Sequence, residues 1–172
     1  MQNIQDFKKW SALRGTAVVT LSDGKKIGSC DDFYFDPQTQ NIYALRVKTG
    51  LLSHKIVPIA SINAVGQDAI TIPNEDALRS ESDDPRVGSL ISGEGLNKYR
   101  VMSAGGTLVG SIGTALLDIS TPTALRVTAF ELSGGIREQL SGKYPTFAAS
   151  QVVSYGQDVM VVPDEVAQSL RQ

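Results

Sequence analysis

Gly24-Lys25-Lys26-Ile27-Gly28-Ser29 returns 82 residues later as Gly106-Thr107-Leu108-Val109-Gly110-Ser111. The correspondence continues to Asp36 and Asp118 at the same offset. Asn41-Ile42-Tyr43-Ala44-Leu45-Arg46-Val47 then aligns with Arg126-Val127-Thr128-Ala129-Phe130-Glu131-Leu132 at offset 85, and Gly66 to Pro73 aligns with Gly156 to Pro163 at offset 90. Three blocks in one order, with an offset that grows in two steps, read as a duplication with small insertions in the second copy. Between the copies lies a polar stretch from Arg79 to Arg86 with one proline, followed by Gly88, Gly93 and Gly95. Pro and Gly at such density mark a connection. The expected organisation is therefore repeat 1 over 1–79, a linker over 80–95, and repeat 2 over 96–172.

Within the first copy, the β-branched run Thr16–Leu21 precedes Ser22-Asp23-Gly24-Lys25. Asp-Gly between apolar runs signals a hairpin of type I′, whose two central residues both need positive φ. Further strands are expected at 27–35, 42–48, 55–59 and 69–72, with a helical turn over 60–63 and a short capped helix over 74–78. The second copy repeats the plan, with strands near 101 and over 108–118, 125–132, 146–149 and 159–162, and a helix over 164–170. Short strands with turn residues every 8–12 positions indicate an all-β fold. So many strands in about 75 residues favour a closed or nearly closed barrel, which also removes exposed sheet edges. The expected fold class is thus two tandem small β-barrels, each with a short C-terminal helical segment.

Gly24-x-x-x-Gly28, the strand before Asp36, Ile42–Val47, and Ile56-Val57-Pro58-Ile59 leading to Gly66–Ile72 together resemble the PRC-barrel family. That family takes its name from the barrel of the photosynthetic reaction centre H subunit, and the barrel is similar to the C-terminal domain of a bacterial ribosome-maturation factor. The resemblance spans both copies. The family itself implies a protein-binding adaptor with no known chemistry, while the matching residues build the barrel and carry almost nothing about function. A shared fold does not fix a function.

Bulk properties narrow the classes. Of 172 residues, 41% are hydrophobic and 20% charged, and the net charge is −2. Residues 1–86 carry 10 basic and 11 acidic groups and residues 87–172 carry 6 and 7, so neither half offers the excess of cations that phosphate binding exploits. Direct nucleic-acid binding is not expected. The single cysteine, Cys30, cannot form an intrachain disulfide, which fits a reducing, cytoplasmic setting. No apolar run approaches the roughly 20 residues of a membrane helix, and the polar MQNIQDFKKW start does not read as a signal peptide.

No set of residues converges on catalysis. His54 is the only histidine, and a triad would also need a placed nucleophile and an orienting acid. Cys30 sits inside a strand beside Asp31 and Asp32, which disfavour a thiolate. One Cys and one His cannot supply a structural zinc site, and the acidic groups Asp31/Asp32/Asp36 and Glu81/Asp83/Asp84 lack the spacing of a calcium loop. No cofactor or metal is expected. The candidates for contact are the loops where the copies diverge. Thr49-Gly50-Leu51-Leu52-Ser53-His54 faces a longer counterpart, Ser133-Gly134-Gly135-Ile136-Arg137-Glu138-Gln139-Leu140-Ser141-Gly142, and the offset grows by five across this loop. Leu51, Leu52, His54, Ile136, Arg137 and Leu140 are the candidate partner-contact residues, since loops on a rigid scaffold carry binding. The alternative is that the apolar ones fold back over the barrel ends. The expected partner is a protein, either in a membrane-bound complex or on the ribosome, where the chain would act as a ribosome or RNA-processing accessory factor. Self-association into a homo-oligomer is also open.

Overall fold

The computed structural model describes residues 6–171. Met1–Gln5, part of the polar N-terminal stretch, and Gln172 lie outside the described residues.

Two mixed sheets account for the strands. The first runs β5 (His54–Pro58), β4 (Ile42–Lys48), β3 (Lys26–Phe35), β2 (Ala17–Thr20), β7 (Ala69–Ile72) and β6 (Ala64–Val65). The second runs β12 (Thr146–Ala148), β11 (Arg126–Leu132), β10 (Leu108–Asp118), β9 (Arg100–Ser103), β14 (Val159–Val162) and β13 (Ser154–Tyr155). The two orders correspond strand for strand. So do the irregularities: β3 against β4 breaks register between Cys30 and Asp32 and between Tyr34 and Phe35. The β10–β11 pair breaks between Ile112 and Thr114 and between Leu116 and Leu117. The first break of each pair puts an extra residue in the long strand, Asp31 or Gly113, and the second puts one in its partner, Tyr43 or Thr128; such a bulge bends its strand and sharpens the twist. The long strand can therefore pair with β2 or β9 over its first half and with β4 or β11 over its second.

A closed barrel is not formed. Each sheet is an open, hydrogen-bonded path whose end strands, β5 and β6 or β12 and β13, are not paired with one another. The strands β6 and β13 are only two residues long, too short to bridge the gap. The Asp23-Gly24 turn also differs from expectation. Only Gly24 takes a positive φ, of 64°, and Asp23 does not. The Gly24 N–H bonds the Thr20 carbonyl at 2.9 Å, so the loop is wider than a two-residue type I′ turn. The Asp23 carboxylate accepts from the Thr20 hydroxyl.

The seventh strand of each sheet comes from the other half of the chain. Strand β1 (Phe7–Lys9) leads into α1 (Trp10–Leu13), and β8 (Ile91–Ser92) leads into α2 (Gly93–Leu96). Strand β1 precedes the first sheet in sequence, yet it pairs with β10 of the second, Phe7 opposite Asp118 and Lys9 opposite Leu116. Strand β8 precedes the second sheet, yet it pairs with β3 of the first, Ile91 opposite Phe35 and Ser92 opposite Tyr34. The halves thus exchange their leading strands. A backbone contact on the dividing line completes the junction. Asn41 bridges Arg126 antiparallel, with Ile42 N–H to the Leu125 carbonyl and Val127 N–H to the Gln40 carbonyl, both 2.9 Å.

One apolar core runs through both halves. Its axis is a chain of rings. Trp10 meets Phe33 at 4.8 Å between centroids, Phe33 meets Phe35 at 6.0 Å, Phe35 meets Phe130 at 6.4 Å, and Phe130 meets Phe147 at 5.6 Å. The connection over 80–95 is more than a tether. Besides β8 and α2 it lays Val87 and Leu90 on the outer face of the first sheet, over Tyr34, Ala44 and Ile56. Arg79 bonds Ile56 in both directions, at 2.8 and 2.9 Å. This cover explains why β3 is buried on both faces from Asp32 to Phe35 instead of alternating. The last element, α4 (Asp164–Leu170), buries Val166, Ala167 and Leu170. No helix among the described residues is long and apolar enough to cross a membrane.

Candidate functional site

The loop between β4 and β5 is a narrow tip. Thr49 N–H bonds the Ser53 carbonyl at 3.0 Å, and the hydroxyls of Thr49 and Ser53 lie 3.0 Å apart. A Cβ at Gly50 would stand 2.6 Å from Ser53 Oγ, so a side chain there would turn the Ser53 hydroxyl away from Thr49. Closing the loop at its base leaves nothing to hold Leu51 and Leu52 down. They stand 86% and 91% exposed. These leucines do not fold back over the barrel end.

His54 does not join them. Its Nε2 lies 3.0 Å from Asp31 Oδ2, and the same carboxylate takes Arg46 Nε at 3.0 Å and Nη2 at 3.3 Å. Arg46 also approaches Glu94 at 3.8 Å. Burial works against the Arg46 charge, but the bonded Asp31 carboxylate outweighs it and holds the guanidinium above its ordinary range. Asp31 is engaged by Arg46 and His54, so the group ties β3, β4 and β5 together at the root of the tip.

The counterpart loop between β11 and β12 uses its extra residues to build α3 (Ile136–Ser141). Glu138 reaches back to the Gly135 N–H at 2.9 Å, and Gly142 ends the helix at a φ of 70°. Ile136 and Leu140 are four residues apart, hence on one helix face. That face points into solvent, with the two side chains 76% and 84% exposed. Arg137 is exposed beside them.

The junction fixes where these loops lie. Strands β4 and β11 start at the Asn41–Arg126 bridge and run antiparallel, so they diverge from it. Seven residues of strand, about 20 Å at 3.3 Å per residue, separate each loop from the bridge. The structure therefore brings Leu51 together with Leu52, and Ile136 together with Arg137 and Leu140, as two separate groups, one on each sheet.

Sequence reasoning missed the charges around the first tip. Lys25, Lys26 and Lys55 line one depression with Thr49, Glu75 and Leu78. Lys48 stands opposite His54 at the loop base. These lysines are scattered in sequence, and only the pairing of β3 with β4 and β4 with β5 assembles them. Lys25 approaches Glu75 at 3.5 Å. The other signal-bearing residues of the sequence are in the interior or bonded: Cys30 is fully buried and its thiol is pushed up to about 12, chiefly by burial and then by Asp31. Among the described residues no three His, Cys, Asp or Glu side chains are grouped to hold a metal ion. A groove of about 400 Å³ beside the junction is lined by Asp36, Tyr43, Arg86 and Leu125. Its polar side chains are bonded, Tyr43 to Asp84 at 2.6 Å and Arg86 to Asp36 at 3.5 Å.

No curated protein matches the chain. The family model of the PRC-barrel domain matches residues 5–78, the stretch that runs from the exchanged strand β1 through β7 to the turn after Pro73. Residues 5–78 of this chain belong to the PRC-barrel family.

Proposed function

We propose that the chain is a duplicated PRC-barrel acting as a non-enzymatic adaptor, with the second half a diverged copy of the first. The observation that carries the reading is the placement of its most exposed large apolar side chains. Leu51, Leu52, Ile136 and Leu140 stand in two loops, one on each sheet of a body with a continuous core. Exposed apolar groups of this size mark contact surfaces. A shared core and exchanged strands hold the two loops at a fixed separation, which suits a protein that bridges two surfaces. A cytoplasmic location belongs to the same reading, in line with the unpaired, buried Cys30.

The test is affinity capture from native lysate, with membranes, ribosomes and the remaining proteins fractionated separately. Wild type is compared with Leu51→Asp/Leu52→Asp and with Ile136→Asp/Leu140→Asp. A protein recovered with wild type, lost with one variant and rebinding when purified supports the adaptor and assigns its loop. Partners retained by both variants overturn the loop assignment.

A further inference from the structure

We propose that the Leu51–Leu52 tip docks on a lipid surface bearing anionic headgroups. The inference rests on reading the two loops as contact sites and assigns the first of them. Its features belong together only in the folded chain. Two leucines project from a loop closed at its base by the Thr49–Ser53 bond, at 86% and 91% exposure. Lys25, Lys26, Lys48 and Lys55 are exposed on the strand ends around that base. Of the acids nearby, Glu75 pairs with Lys25, Asp31 with Arg46 and His54, and Glu94 approaches Arg46, which leaves Lys26, Lys48 and Lys55 as the cationic excess. The tip thus presents an apolar point inside a cationic collar. Interfacial binding combines those same two terms, apolar area in the acyl boundary and basic groups at headgroup depth. A protein groove could take the leucines but gives no reason for the collar.

The α3 loop differs. Around Ile136 and Leu140 the charges are mixed, with Arg137 and Lys143 against Glu138, and Glu138 caps its own helix. The Leu51–Leu52 loop would then hold the membrane while α3 stays open to a protein.

Sedimentation of the full chain with phosphatidylcholine vesicles, and with vesicles that also contain phosphatidylglycerol, tests this. Wild type should sediment with the anionic vesicles, weakly or not at all with the zwitterionic ones, and less as salt rises. Leu51→Ser/Leu52→Ser should lose at least about tenfold in partitioning. Lys48→Gln and Lys55→Gln should each lose about fivefold. Ile136→Ser/Leu140→Ser should bind as wild type does. Circular dichroism confirms that the variants fold, which their exposure makes the expected result. Failure of wild type to bind anionic vesicles, or equal binding by the leucine variant, overturns the proposal. If the vesicles fail while Leu51→Asp/Leu52→Asp loses a protein in the capture experiment, the tip is a protein contact and the adaptor reading survives without this one.

Discussion

Asp32 Oδ1 accepts a hydrogen bond from the backbone N–H of Glu94, 62 residues further along the chain, at 3.0 Å. The same oxygen takes the Phe33 N–H at 2.8 Å. At the corresponding place in the other half, Thr114 Oγ1 accepts from the Ser11 N–H at 3.2 Å. Each half therefore uses a side chain at the bulge of its long strand to bond the short helix that follows the other half's exchanged strand. Asp32 and Thr114 are both buried, so the N–H groups they satisfy have little access to water.

Asp32→Ala leaves both N–H groups without this acceptor and should cost about 2 kcal/mol in denaturant unfolding. Asp32→Asn keeps an acceptor and removes a charge whose carboxyl is pushed up, first of all by burial, against the Phe33 and Glu94 bonds. A raised carboxyl pKa means that the native state binds the proton more readily than the unfolded chain. Its contribution is full at pH below the unfolded value and is lost as pH rises through the folded one. Asp32→Asn should thus match or exceed wild type at neutral pH, with the advantage shrinking on acidification. A stability profile for both proteins checks it; an advantage that grows in acid would contradict the assignment.

Exchange of the leading strands makes the two halves unfold together. Removing residues 1–9 takes β1 away from β10, along with the Ile119 N–H bond to the Asp6 carbonyl, 2.7 Å long. Hydrogen exchange should then quicken at Leu117 and Ile119, in the half from which nothing was deleted. Thermal unfolding of the intact chain should be a single transition. Two transitions, or faster exchange confined to residues before 80, would show that the halves are independent.

Tyr155 projects from β13 into the junction, 6.0 Å from the Phe35 ring and 6.3 Å from Phe130. Its hydroxyl is buried without a well-formed hydrogen bond, although the Gln40 side chain lies near. An unsatisfied buried hydroxyl carries a desolvation cost. Tyr155→Phe should raise stability by about 1 kcal/mol, seen as a higher denaturant midpoint, whereas Phe130→Ala should lower it by about 3–5 kcal/mol.

Alkali should weaken the fold before it damages it. Cys30 is pushed up to about 12 from 9.0, by burial and then by Asp31, and Tyr155 to about 12 from 10.0, mainly by burial. Both are neutral in the native state and ionise earlier in the unfolded chain, so their contribution is full below the unfolded values and lost as pH rises toward 12. Cys30→Ala should remove the first part of that fall. In the native protein near neutral pH, Cys30 should resist thiol reagents, reacting at the rate of unfolding.

By itself the sequence determined the longer strands along each half and the loops that differ between the halves, but not the short strands β1, β6, β8 and β13. Alternating β-branched residues, turn residues and the matched glycine blocks are local signals, and they reappear as β3 with β10 and β4 with β11, down to the positions of the bulges. It also placed Leu51, Leu52, Ile136 and Leu140 in loops, but a loop leucine reads the same whether it folds back or projects. Only the tertiary structure decided that, through the short closure from Thr49 to Ser53. Nor did the sequence show that β1 and β8 cross to the opposite sheets. Phe7–Lys9 and Ile91–Ser92 are too short to carry a periodicity, and the edges they take, β10 beyond its pairing with β9 and β3 beyond its pairing with β2, exist only in the folded sheets. The lysine collar follows the same rule. Lys25, Lys26, Lys48 and Lys55 are separate in the chain and become neighbours because three strands end at one edge.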